Sequence, residues 1–343
     1  MRALSLFALF VAPFALQAQT ERQSLSGSDL AIYNLAGEIR AEAGTGADVT
    51  VEITRAGPDA AKLRIETGRI GSRNTLRVIY PDTRIIYPGL GRHSSTTLDV
   101  NDDGTFGDNA RGHRVRITGD GSGLEASAVL RVAIPPGKKV RLNLGVGRVT
   151  VSNVTGDLYV DVASADVITE NTKGMLTLDV GSGSTTVKKA AGSLDLDAGS
   201  GDVTVSGVHG ETLHVDAGSG EVRAQDIVVD NADLDVGSGG ITISGLRARS
   251  IKLDSGSGDV DLGLVGDVER LDVDSGSGSV TLRIPETLGA QLDVDAGSGG
   301  VRADVPIQVT RYESDRIVGK IGDGKGVIHI ESGSGEVHLM RAN

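Results

Sequence analysis

Aspartate recurs at one fixed place in this chain, two residues ahead of a Gly-Ser-Gly triplet. Asp179 precedes Gly181, Asp197 precedes Gly199, Asp216 precedes Gly218 and Asp235 precedes Gly237; Asp254, Asp274 and Asp295 do the same before Gly256, Gly276 and Gly297. Asp161 holds the place before Ala163-Ser164-Ala165, Asn143 before Gly145-Val146-Gly147, Glu331 before Gly333 and Glu42 before Gly44-Thr45-Gly46. Eight consecutive aspartates offer two kinds of chemistry. Each carboxylate accepts hydrogen bonds from the amides of its own turn, as Asp does at turns, or clustered oxygens hold divalent cations, calcium being the hard ion that suits them. Some compensation is required, because unit charges about 5 Å apart repel by roughly 1 kcal/mol in water and several times that near a protein surface.

A second acidic stretch, Asp99-Val100-Asn101-Asp102-Asp103-Gly104, matches the first half of a calcium loop, in which close oxygens and a glycine turn wrap the ion. Asp99, Asn101 and Asp103 would be the ligands, with Asp108 replacing the glutamate that such a loop carries at its twelfth position, here Ala110. An acidic surface turn is the competing reading. The segment Gly319-Lys-Ile-Gly-Asp-Gly-Lys-Gly326 approaches a phosphate-binding loop but ends in Gly326 where Ser or Thr would hold magnesium, and an alternating strand pattern follows it. A β-turn is expected there. The six histidines show no zinc spacing and no serine lies in a G-x-S-x-G elbow. No cofactor is expected beyond calcium at one of the two acidic features.

These residues are positioned by a repeat. From Gly145 the triplets follow at intervals of 18, 18, 18, 19, 19, 19, 20, 21 and then 36 residues. Between triplets the pattern alternates: Leu194, Leu196 and Ala198 share one parity, Asp195 and Asp197 the other, and Val203 and Val205 alternate with Thr204 and Ser206. Period-two alternation marks strands with one buried face. Each unit is therefore strand, Gly-Ser-Gly corner, strand, second turn, and a fixed period of this length indicates a solenoid. The expected fold is an all-β parallel β-helix with 18–21-residue coils, its main competitor an antiparallel sandwich. The last, 36-residue interval reads either as one long coil or as two with a degenerate corner.

Residues 141–343 carry the regular repeats. Residues 19–140 read as an irregular start of the same β structure, with strands at Asp48–Thr54, Leu63–Thr67, Leu76–Tyr80 and Val129–Ile134 and an inserted loop over 87–123. Glu42 and Gly44-Thr45-Gly46 are taken as an early corner. Residues 1–18, MRALSLFALFVAPFALQA, have a basic start, a short apolar run and small residues at the end, the pattern of a secretory signal peptide cut after Ala18. No other apolar run reaches the roughly 18 residues of a membrane-spanning helix.

Three of the four Phe fall in that leader and Trp is absent, so the core is expected to be thin and aliphatic. Cysteine is absent too, which removes disulfides and a lipid-anchoring thiol. A net charge of −12 disfavours nucleic acid and anionic membrane as partners.

The repeated GSG-(D/E)-V pattern and the tail GKIGDGKGVIHIESGSGEVHL resemble the bacterial adhesin-like families of β-strand repeats, which include the head domains of autotransporter adhesins. The resemblance covers roughly residues 28–341 and is strongest from 140 onward. It implies a right-handed β-helix of unknown molecular role and brings no catalytic residues with it.

Repetition itself argues against catalysis, since an active site needs one unique constellation. The leading expectation is an exported, non-enzymatic solenoid, periplasmic or at the cell surface, acting as an adhesin or envelope-associated binding protein; its partner would be an unidentified surface component, protein or polysaccharide. The alternative is a polysaccharide lyase or hydrolase using paired carboxylates, although the chain offers few aromatics on which sugars would stack.

Overall fold

The inward residues of each repeat are Leu, Val, Ile and Ala, and in the computed structural model, which describes residues 20–107 and 110–342, they bury almost completely. Leu194, Leu196, Ala198, Val203 and Val205 are each at most 1% exposed. A buried aliphatic side chain of this size contributes about 1.5–3 kcal/mol, so the driving force is spread evenly along the chain instead of concentrated around aromatic residues. The leader read in residues 1–18 and the candidate ligand Asp108 lie outside the described residues.

Each strand pairs in parallel with the strand one coil away. Leu176–Ser182 pairs with Leu194–Ser200, and that strand with Thr212–Ser219. Beyond the corner, Thr185–Ala191 pairs with Val203–His209 and that strand with Val222–Val228. Two faces result, one of strands before the corner and one of strands after it, with the aliphatic core between them. The parallel solenoid is thus the fold, and the antiparallel sandwich is excluded by the pairing.

The triplet is required by the closeness of the coils. A Cβ on Gly199 would stand 2.6 Å from the carbonyl oxygen of Gly181, and one on Gly218 2.7 Å from that of Gly199. The third glycine carries a different constraint: Gly201 has φ +121°, and a Cβ there would overlap the Gly183 carbonyl. The second strand of each coil has its own recurring kink, with Asn153, Asn171, Lys189, Gly207, Asp226 and Gly245 all at φ 54–73°. Apart from Lys189 these are residue types that tolerate the left-handed region.

Strands within residues 20–79 and 127–134 continue the same sheet, which has 26 strands among the described residues. The strand Asp29–Ala43 pairs in parallel with Lys138–Ser152, in a register that sets Ala36 opposite Val146 and Gly37 opposite Gly147. The early corner is therefore Leu35-Ala36-Gly37. Gly44-Thr45-Gly46 is not one: Glu42 stands opposite Ser152, at the far end of the second face, and Tyr33 occupies the place of Asn143. The sequence pointed to the wrong triplet because a bulkier Leu-Ala-Gly corner has no repeat signature. Within 87–123, read as a loop, the chain forms Ser95–Val100 and His113–Thr118, which join Arg84–Ile86 and Leu124–Glu125 in a separate four-stranded sheet.

At the other end the stacking order departs from the chain order. Gly326–Ser332 lies between Arg270–Ser275 and Ala290–Asp295, parallel to both. Val337–Arg341 lies likewise between Val280–Ile284 and Val301–Ala303. The last coil is interleaved between the two preceding ones. The 36-residue interval is spent on a hairpin, Gln308–Tyr312 with Arg316–Ile321, whose second strand runs antiparallel to Ala290–Asp295 and closes that edge.

Gly201→Ala is expected to lower stability by about 1–3 kcal/mol from backbone strain alone, with the carbonyl overlap adding to it, whereas Ser200→Ala, at an exposed position, is expected to leave it unchanged. Urea unfolding of the two variants checks this.

Candidate functional site

Stacking brings the predicted carboxylates into one outward row. Asp161, Asp179, Asp197, Asp216, Asp235, Asp254 and Asp274 stand opposite one another on successive strands, each pair in register. Glu331 follows Asp274, and Asp295 stands beyond it, because of the interleaved coil. All nine side chains lie on the outer surface, exposed or half-buried.

The ends of the row are closed by specific contacts. Before Asp161, the buried Asn143 donates through its side-chain amide to the Ile32 carbonyl at 3.1 Å, and Phe106 from the four-stranded insertion packs edge-on against Tyr33 with ring centroids 5.6 Å apart. The insertion thus covers the start of this face. After Asp295, Arg316 of the hairpin donates to Asp293 at 2.9 and 3.0 Å and to Asp295 at 3.3 Å.

Asp295 also accepts from the amide of Gly297 in its own corner at 3.0 Å, and Asp179 accepts from the Tyr159 hydroxyl at 3.5 Å. The acidic position just past the corner links neighbouring coils. Asp166 accepts from the amide of Ser184, Asp202 from that of Glu221 and Asp259 from that of Ser279, at 3.2, 3.1 and 2.8 Å. Like-charge repulsion is visible in mid-row: burial first, then the carboxylates of Asp235 and Asp274 on the adjoining strands, hold the Asp254 carboxyl above its ordinary value of 3.8, with Lys252 opposing them.

A second row, two residues upstream, gains its order from the interleaving. Asp195, His214, Asp233, Lys252, Asp272, His329 and Asp293 stand in register, a carboxylate alternating with a basic side chain throughout. In chain order Asp272 would adjoin Asp293. His329 separates them and lies 3.0 Å from Glu331.

Sequence reading also missed a buried serine row. Ser255, Ser275 and Ser332 occupy the inward position that Ala198 and Ala217 hold in earlier coils, and donate to the corner carbonyls of Gly258, Gly278 and Gly335 at 2.9, 2.9 and 3.1 Å. Their place beside the triplet made them look like corner residues.

The loop 99–106 closes on itself. Asp103 accepts from the Thr105 amide at 3.0 Å and from its hydroxyl at 2.7 Å, while Asn101 donates to the Thr105 hydroxyl at 3.0 Å and accepts from the Arg111 amide at 3.2 Å. Asp99 sits one strand back, opposite Arg114. Among the described residues no three His, Asp or Glu side chains are arranged to hold a metal ion. Within the segment 319–326, residues 322–325 form the expected turn between strands, with Asp323 accepting from the Lys325 amide at 3.2 Å and pairing with its ammonium at 2.6 Å. No helix among the described residues is long and apolar enough to cross a membrane.

The sequence profile of a family described as Toastrack DUF4097 matches residues 167–340, half of the chain. The chain belongs to the Toastrack family. Its resemblance to adhesin-like repeat families thus resolves into a domain family of unknown function. The Toastrack match begins at the first strand past the Ala163-Ser164-Ala165 corner and takes in the interleaved coil and hairpin. No curated protein matches the chain. Two solved structures are similar to it: a "putative cell adhesion protein" from Clostridium sporogenes, 11% identical over 95% of this chain and 100% of its own at a TM-score of 0.23, and a "putative lipid binding protein" from Parabacteroides distasonis, 12% identical over 93% and 96% at 0.38. At those scores neither likeness bears on the ligand of this Toastrack protein.

The raised Asp254 carboxyl has a sign. Stability that it lends is present below the unfolded value and is lost as pH rises through the folded one. Asp254→Asn, a neutral isostere, is therefore expected to melt above the unaltered chain at pH 7 and level with it near the bottom of the carboxylate range; thermal melts across pH check this, and a lower melt at pH 7 would contradict it.

Proposed function

We propose that this Toastrack protein is an exported, non-enzymatic β-solenoid that binds a component of the cell surface or envelope through its outer faces. What supports the reading most is the in-register acidic row on the first face: nine side chains of one kind repeat along the stack from Asp161 to Asp295, which suits an extended or repetitive partner. A reaction centre would instead need unlike groups converging on one point. Export rests on the leader read in residues 1–18.

The purified mature chain is expected to bind whole cells or isolated envelope polymers, and to leave acidic polysaccharides uncleaved with or without calcium. Absence of binding together with a silent deletion strain would overturn the reading, as would cleavage abolished by Asp197→Ala.

The acidic features are electrostatic and structural in this reading. The Asn101 and Asp103 oxygens accept hydrogen bonds within the loop region, and basic side chains stand beside the long row, Lys252 near Asp254 and Arg316 on Asp295. Adding calcium or a chelator is expected to leave the melting temperature unchanged, and a large downward shift on chelation would instead assign calcium to one of the two features.

A further inference from the structure

Resting on the binding role proposed above, we infer that the first face carries a track for a neutral, hydroxyl-rich polysaccharide, four residues upstream of the acidic row. The interleaved coil creates it. Ser250, Arg270, Val327, Gln291, Lys320 and Gln308 stand in register on six adjacent strands, though they are far out of order in the chain. Asn231 and Thr212 extend the same line toward the N-terminus. No member of this line is acidic, in contrast to the two rows beside it.

The chemistry of the line fits a polyol. Sugar hydroxyls both donate and accept, and so do the amides of Gln291, Gln308 and Asn231 and the hydroxyls of Ser250 and Thr212. Lys320 adds a donor; Arg270 is held by Asp272 through its Nε and by a second bond of 2.9 Å, and Asp293 by Arg316, so these pairs are fixed polar edges of the line whose remaining N–H groups and lone pairs face the ligand. Val327, 41% exposed, and the aliphatic stems of Lys320 and Arg270 supply an apolar strip for the carbon face of a ring. Strands lie about 4.8 Å apart, close to the length of one sugar ring, so successive rings meet successive strands.

The line also has relief. Arg270, Gln291, Lys320 and Val327 line an open groove of about 670 Å³, with Thr310 of the hairpin and His329 contributing to it. Neutrality of the ligand follows from the surroundings, since the acidic row and the overall charge of −12 repel polyanions.

The test is affinity electrophoresis of the full mature chain through gels containing a β-glucan, a galactomannan, dextran or a hexuronate polymer. Retardation by at least one neutral polymer is expected, and the double variant Gln291→Ala with Lys320→Ala is expected to weaken it about tenfold, two hydrogen bonds being lost, while its melting temperature stays the same. Lys188→Ala, on the second face, is expected to bind as the unaltered chain does. Retention by none of the neutral polymers, stronger retention by the hexuronate, or undiminished retention of the double variant would overturn the inference. Binding of the same preparations to whole cells and envelope, measured in parallel, separates the two claims: envelope binding without polysaccharide retention removes the track and leaves the binding role, and loss of both removes both.

Discussion

Backbone hydrogen bonding between coils, at the strand spacing of about 4.8 Å, is the constraint from which the rest of this molecule follows. It favours glycine at the corner, because a side chain at Gly199 would press on the Gly181 carbonyl, although Leu35-Ala36-Gly37 and Ala163-Ser164-Ala165 make the same corner without the full triplet. It stacks the inward positions into columns that are mostly aliphatic, with serine at Ser255, Ser275 and Ser332. It also forces equivalent outward residues to face one another, so that any choice made once is repeated as a row. The acidic line is what results when that choice is aspartate, and the Asp254 carboxyl within it is raised by burial first and then by the carboxylates on either side.

The rows are not independent. Beside the line of like charges runs one in which acid and base alternate, and at the C-terminal end Arg316 bridges both by binding Asp293 and Asp295. The corner-following acids Asp166, Asp202 and Asp259 tie each coil to the next through its amide. Carboxylates here are thus distributed between repelling and joining roles by their position relative to the corner. The excess of acid in the composition does not distinguish them.

Much of this was legible in the sequence. Gly-Ser-Gly spacing and alternation led to the coils, the inward residues and the members of the acidic row, because a period-two pattern under a fixed repeat leaves little freedom. The stacking order of the last two coils was not legible: Asp295 and Glu331 carry the same local pattern, and nothing in their neighbours records which lies against Asp274. That ambiguity hid the acid-base alternation and the polar line through Gln291 and Lys320, both of which exist only in the interleaved order. The early corner was misplaced for a related reason, since Leu35-Ala36-Gly37 satisfies the same packing without the triplet. Strands in 87–123 were missed because their apolar residues are few and serve a small sheet of their own.

Solenoids whose coils follow chain order can begin folding at any point and grow in either direction. Interleaving removes that freedom at one end. The coil at Ala290–Ala303 cannot reach its final neighbours until Gly326–Arg341 has been made and has entered beside Arg270–Ile284. Gly326–Arg341 therefore acts as a keystone: until it is in place, the coil before it in the chain has no parallel neighbour on which to rest.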